Sequence, residues 1–108
     1  MRKNSKNLII IPKSFTIAGS TYDVIKVNSE KEINCLGDFT SLSHKIRIVS
    51  NYLDNEDNSI KKMPKDEYLK TYLHELGHAF NYYYNNGNSE EFANAFANFF
   101  YEYLTSKK

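Results

Sequence analysis

Residues 74–78 read His-Glu-Leu-Gly-His, two imidazoles four residues apart with a carboxylate between them. On a helix, positions four apart share a face, one turn from each other. Both side chains then reach one metal ion, and zinc takes imidazole nitrogen at about 2.0–2.1 Å. Glu75 falls on an adjoining face, where it touches water at the metal without being a ligand. This is the H-E-x-x-H pattern of metalloproteases: the metal polarises a peptide carbonyl and the glutamate takes the proton of the attacking water.

A zinc site with an open position for chemistry takes three protein ligands. The one other histidine, His44, lies upstream, so the third ligand is expected to be an acid after the motif. Glu90, Glu91 and Glu102 are the candidates. Glu90 is favoured because it lies nearer the apolar side of its helical wheel. Glu91 already has a capping role as the partner of Asn88, three residues before it. Asn94, four residues after Glu90, shares its face and is expected to hydrogen-bond a ligand histidine from behind. In a helix hairpin, groups at one level are equally far from the turn. Glu90 sits closer to the turn than the histidines do, so the first helix is expected to end near Asn81 or Tyr82.

Two helices must carry these residues. Leu69, Tyr72, Leu73, Leu76, Phe80 and Tyr83 recur at three- and four-residue steps and predict a metal helix over 64–84. Its apolar stripe centres on Leu76, with His74 and His78 on the far side. Pro64 and the acids Asp66 and Glu67 suit its start. Asn85-Asn86-Gly87-Asn88 stops it. A ligand helix over 88–106 follows, with Phe92, Phe96, Phe99 and Tyr103 on one stripe and Lys107-Lys108 at its favourable C-terminal end.

The first half reads as strands, over 8–50. Phe15-Thr-Ile-Ala18 and Thr21 to Val27 alternate apolar and polar residues around Gly19-Ser20, a hairpin signal. Leu36 to Ser41 and Lys45 to Val49 make a second pair, with Ile46 and Ile48 on one face. The polar run Asp54 to Ser59 marks 51–63 as a surface loop. The expectation is one α+β domain over 1–108: antiparallel hairpins packed on a C-terminal pair of helices.

Composition narrows the partners. Fourteen basic and 13 acidic residues leave a net charge of +1, so no basic face for nucleic acid is expected. Cys35 is the only cysteine and cannot close an internal disulfide. It reads as a semi-buried apolar filler. The apolar run Leu8 to Ile11 stops at Pro12, too short for a membrane span or a signal-peptide core. A cytoplasmic chain with a protein or peptide substrate is expected. His44 and Tyr82 to Tyr84 are the candidate oxyanion donors, although turn exposure for His44 and packing for the tyrosines are the simpler roles. The substrate is expected to add to a sheet edge beside the helix.

His74-Glu-Leu-Gly-His-Ala79 and Glu90-Glu-Phe-Ala-Asn-Ala-Phe-Ala97 together resemble the ImmA/IrrE-type metallopeptidases, especially short phage-encoded members. The second stretch is similar to that family's E-x-x-A-N-x-F-A signature, whose first glutamate is a zinc ligand and falls on Glu90. The likeness covers about residues 69–104. It implies a gluzincin-like core of strands packed on a metal helix and a ligand helix. It also implies a zinc endopeptidase that cleaves a repressor or regulator of a phage or other mobile element. Phe99-Phe100-Tyr101-Glu102 stands where larger members carry an L-L-M-P-type ending. The alternative expectation is a catalytically inactive, zinc-stabilised protein-binding domain.

Overall fold

A computed structural model describes residues 9–29, 33 and 35–106. Met1 to Leu8, at the head of the apolar run, and the Lys107-Lys108 pair lie outside them. The chain is α+β, with six strands in two sheets followed by two helices. Strands β1 (Ser14–Ile17), β2 (Ser20–Val27), β3 (Gly37–Thr40) and β4 (Lys45–Val49) form one sheet in the order β1-β2-β4-β3. The pairs β1–β2 and β3–β4 are antiparallel, while the central β2–β4 pair is parallel. This leaves β3 as an outer strand.

Both expected hairpins form, with one correction. The first turn is Ala18-Gly19 and not Gly19-Ser20, because Ile17 and Ser20 face each other as the last pair. Ala18 and Gly19 both have positive φ, at 49° and 82°. A two-residue turn of that kind follows the twist of the strands, and glycine takes the second position without steric cost. Phe15 then stands opposite Tyr22 and stacks on it, with ring centroids 5.8 Å apart.

Residues 51–63, expected as loop, contain a separate hairpin: β5 (Asn51–Asp54) and β6 (Ser59–Lys62). Its polar residues build the turn. Asp54 accepts from the Glu56 amide at 2.9 Å, Asp57 accepts from the Ser59 amide at 3.0 Å, and Asn58 takes φ 57°. Lys61 pairs with Asp54 at 2.6 Å. Leu53 and Ile60 are both exposed. With no buried face, the strands carry no apolar alternation to distinguish them from loop.

Helix α1 spans Lys65–Asn85 and α2 spans Glu90–Thr105. Both lie within about two residues of the expected bounds. The cap of α2 is a second correction. Ser89, not Asn88, is the N-cap, and its hydroxyl accepts from the Phe92 amide at 3.0 Å. Serine at this position satisfies one of the helix's free N–H groups. Glu91 is exposed in the first turn.

The helix hairpin covers one face of the four-stranded sheet. Ile46 and Ile48 of β4 are fully buried against Leu69, Tyr72 and Leu73 of α1 and Ala97 of α2. Leu76 packs on this cluster from its edge. Phe80, expected in the core stripe, is 39% exposed and lies against Phe92 and Phe96 of α2. Helix α1 is thus buried on two sides, by the sheet and by α2. The second contact is close. A Cβ on Gly77 would meet Phe96 Cβ at 3.0 Å and Ala93 Cα at 3.1 Å. Glycine and alanine here bring the two backbones together beside His74 and His78.

Candidate metal centre

His74 and His78 lie one turn apart in the middle of α1, with Glu75 next to His74, and Glu90 opens α2. Helix α1 runs on to Asn85 and does not end near Asn81 or Tyr82 as expected. The connection solves the geometry by folding back. Asn86 adopts a left-handed conformation, and the Gly87 amide donates to the Asn81 carbonyl at 3.0 Å. The buried Asn81 side chain accepts from the Ser89 amide at 2.9 Å. A Cβ at Gly87 would lie 2.8 Å from Asn81 Oδ1, so only glycine passes without displacing the amide. The start of α2 is therefore held beside Asn81, less than one turn from His78. The glutamate side chain spans the remainder.

The carboxylate of Glu90 meets both imidazoles: Oε1 is 3.0 Å from His74 Nε2, and Oε2 is 3.0 Å from His78 Nε2. The imidazole rings stand edge to face, with centroids 4.8 Å apart. His74, His78 and Glu90 each offer a ligand atom, all within 4.8 Å of one another. Glu91 and Glu102 are outside this group. Two nitrogens and a carboxylate oxygen turned to one point fit a zinc ion in chemical type and in number, with a further position left open.

Glu75 is 6% exposed and borders the same cleft. Burial pushes its carboxyl up to about 7, and the nearby negative charges of Asp38 and Glu90 push in the same direction. Asp38 is held by Arg47, whose Nε donates to Oδ1 at 2.9 Å. Strand β3 brings Asp38 near by seating directly on α1. A Cβ on Gly37 would fall 2.7 Å from Thr71 Cγ2 and 3.4 Å from Glu75 Cγ. The resulting cleft holds about 480 Å³. Residues 35–37 form one wall, His74 and Glu75 the floor, and Glu90, Asn94 and Asn98 the other wall.

Two expectations fail here. Asn94 is exposed and faces the cleft, while His78 Nδ1 is buried without a hydrogen-bond partner among the described residues. The histidine thus lacks the expected support from behind. Cys35 is no apolar filler: it is exposed at the cleft wall, its thiol donating to the Gly37 carbonyl at 3.1 Å. The oxyanion candidates take the simpler roles expected of them, turn exposure for His44 and packing for Tyr82 and Tyr83. His44 takes φ 55° in the β3–β4 turn and stacks on Tyr22 at 4.9 Å. Tyr83 shares a 2.5 Å hydroxyl contact with Tyr22, and Tyr82 packs edge-on to Phe39. None of them borders the cleft.

Asp38, Asn81 and Lys70 had no role in the sequence reading. Lys70 has a local signal, since it precedes His74 by four residues on the same face. Asp38 and Asn81 have none, because their proximity arises from tertiary packing.

The fold and site define an α+β domain with a His, His and carboxylate donor set beside a buried glutamate. No family model, curated protein or solved structure matches the chain. Among the described residues, no helix is long and apolar enough to cross a membrane.

Proposed function

We propose that this protein is a zinc-dependent endopeptidase that hydrolyses a peptide bond in a cytoplasmic protein. One observation carries the reading: the convergence of His74, His78 and Glu90 at 3.0 Å contacts, with the Glu75 carboxyl in the same cleft. When bound there, zinc would acidify water toward a pKa of about 7 and polarise a carbonyl.

The chain's own groups supply the rest. Glu75 is the general base. Its burial and its acidic neighbours raise its proton affinity, suiting it to take a proton from water and return it to the leaving amine. Strand β3 lies at the sheet edge against α1. Its unpaired backbone groups suit an extended peptide added as a further strand. The resemblance to the ImmA/IrrE-type peptidases supports a substrate of one class, a repressor or regulator of a phage or mobile element.

Glu75→Gln tests the chemistry. Proteolysis should fall by about 10²- to 10⁴-fold, the usual contribution of a positioned acid–base group, with zinc content unchanged. Activity surviving in that variant would sink the mechanism.

A second reading, a zinc-stabilised partner-binding domain without catalysis, is favoured by the cleft lining. Among the described residues, it presents no tyrosine, arginine or histidine besides His74 to stabilise an oxyanion. On that reading Glu75→Gln leaves the cellular phenotype unaltered.

A further inference from the structure

The cleft does not end at the donor set. The helices run antiparallel, as three contacts at rising and falling residue numbers show: Phe80 with Phe92, Gly77 with Ala93, and Lys70 with Tyr101. Moving from Glu90 along α2 is therefore moving from His78 back towards the start of α1. Asn94 and Asn98 follow Glu90 at four-residue steps, one face of α2, and both border the cleft. Lys70 precedes His74 by four on the same face of α1 and also borders it. The Lys70 ammonium reaches towards α2, lying 4.8 Å from the centre of the Tyr101 ring.

The two ends of the cleft differ in charge. Glu75 and Glu90 lie at one end, and Lys70 is the only cation among the described lining residues. Among the described residues its ion-pair partner is Glu67, 4.0 Å away, and both side chains are about half exposed at 45% and 54%. A contact that long and wet leaves most of the ammonium's binding capacity unused. The amides of Asn94 and Asn98 add N–H donors along the path between Lys70 and the donor set.

We propose that Lys70, Asn94 and Asn98 form a carboxylate-binding subsite that selects peptides carrying an acidic group to one side of the metal centre. This rests on the peptidase reading. One helical turn rises about 5.4 Å and two residues of extended chain span about 6.6 Å. The selected group therefore sits about two residues from the bond at the metal centre. It is either an Asp or Glu side chain or the peptide's own C-terminal carboxylate.

The test uses the full-length protein loaded with one zinc per chain and short peptides headed by a hydroxamate, a zinc-chelating group. Two C-terminally amidated peptides differ only by Asp or Asn two residues from the hydroxamate. A third is the Asn peptide with its final residue at that distance as a free acid. Titration calorimetry should show the Asp peptide binding about threefold to fivefold tighter than the Asn peptide, the scale of an exposed ion pair. Lys70→Glu should reverse the order. A gain for the free acid alone would still support the subsite and assign it to the C-terminus. Equal binding of all three, or a preference that Lys70→Glu leaves intact, would overturn the subsite and spare the peptidase reading. No binding of any peptide to the zinc-loaded chain would overturn both.

Discussion

Two polar clusters flank the sheet-facing side of α1, and they are built in opposite ways. Towards the helix end, Tyr22 is fully buried. Its hydroxyl meets that of Tyr83 at 2.5 Å, and its ring is stacked by Phe15, Phe39 and His44. In mid-helix, Glu75 is buried with like charges for neighbours, and His78 Nδ1 has no partner among the described residues. The first cluster is satisfied and serves stability. The second carries an electrostatic cost that folding alone gives no reason to accept. Groups left poorly satisfied inside a protein are where function is sought, because native structures pair nearly all others.

The sharpest way to break this contrast is to remove one ligand. Glu90→Ala should reduce zinc from about one per chain to almost none by elemental mass spectrometry, while Glu91→Ala retains it. Equal loss in both variants would mean that Glu90 has no special place. Truncating the other cluster should unfold rather than empty the protein. Tyr22→Ala should cost about 3–5 kcal/mol in denaturant unfolding, as for other buried aromatic residues.

Next in size is a pH effect in the metal-free chain. Below about pH 4.5 Glu75 is protonated in both folded and unfolded states. Above that value the unfolded chain releases the proton, whereas the folded chain keeps it up to about 7. Folded stability therefore falls as pH rises across that window and levels off above it, by on the order of 3 kcal/mol. Glu75→Gln should flatten the profile. A profile that rises over the same window would contradict the assigned cause. The smallest effect is Tyr22→Phe, at about 0.5–1.5 kcal/mol for one hydrogen bond. This variant should also reduce alkaline sensitivity. Burial and the Tyr83 hydroxyl raise the Tyr22 phenol above its ordinary value, so the unfolded chain ionises first and stability drops above about pH 10.

Legibility in the sequence followed the range of the interactions. The helices were readable because apolar residues recur at helical steps, although Phe99 and Tyr103 of the expected α2 stripe are exposed and Ala93 and Ala97 are the residues it buries. The hairpin at β3 and β4 was readable because Ile46 and Ile48 alternate and are fully buried. The hairpin at β5 and β6 was missed because Leu53 and Ile60 both face solvent. The cap was misplaced by one residue, since Asn88 and Ser89 are both good capping residues and only the path of the connection chooses between them.

The residues from 74 to 78 alone determined that two imidazoles share one face with a glutamate beside them, because helix geometry links positions four apart whatever surrounds them. Tertiary structure decided that Glu90 reaches them, through the Asn81 amide that holds the start of α2 and the close approach of the helices at Gly77. It also decided that Asp38 raises the proton affinity of Glu75. These pairings depend on how one element is seated against another, and no local spacing encodes that.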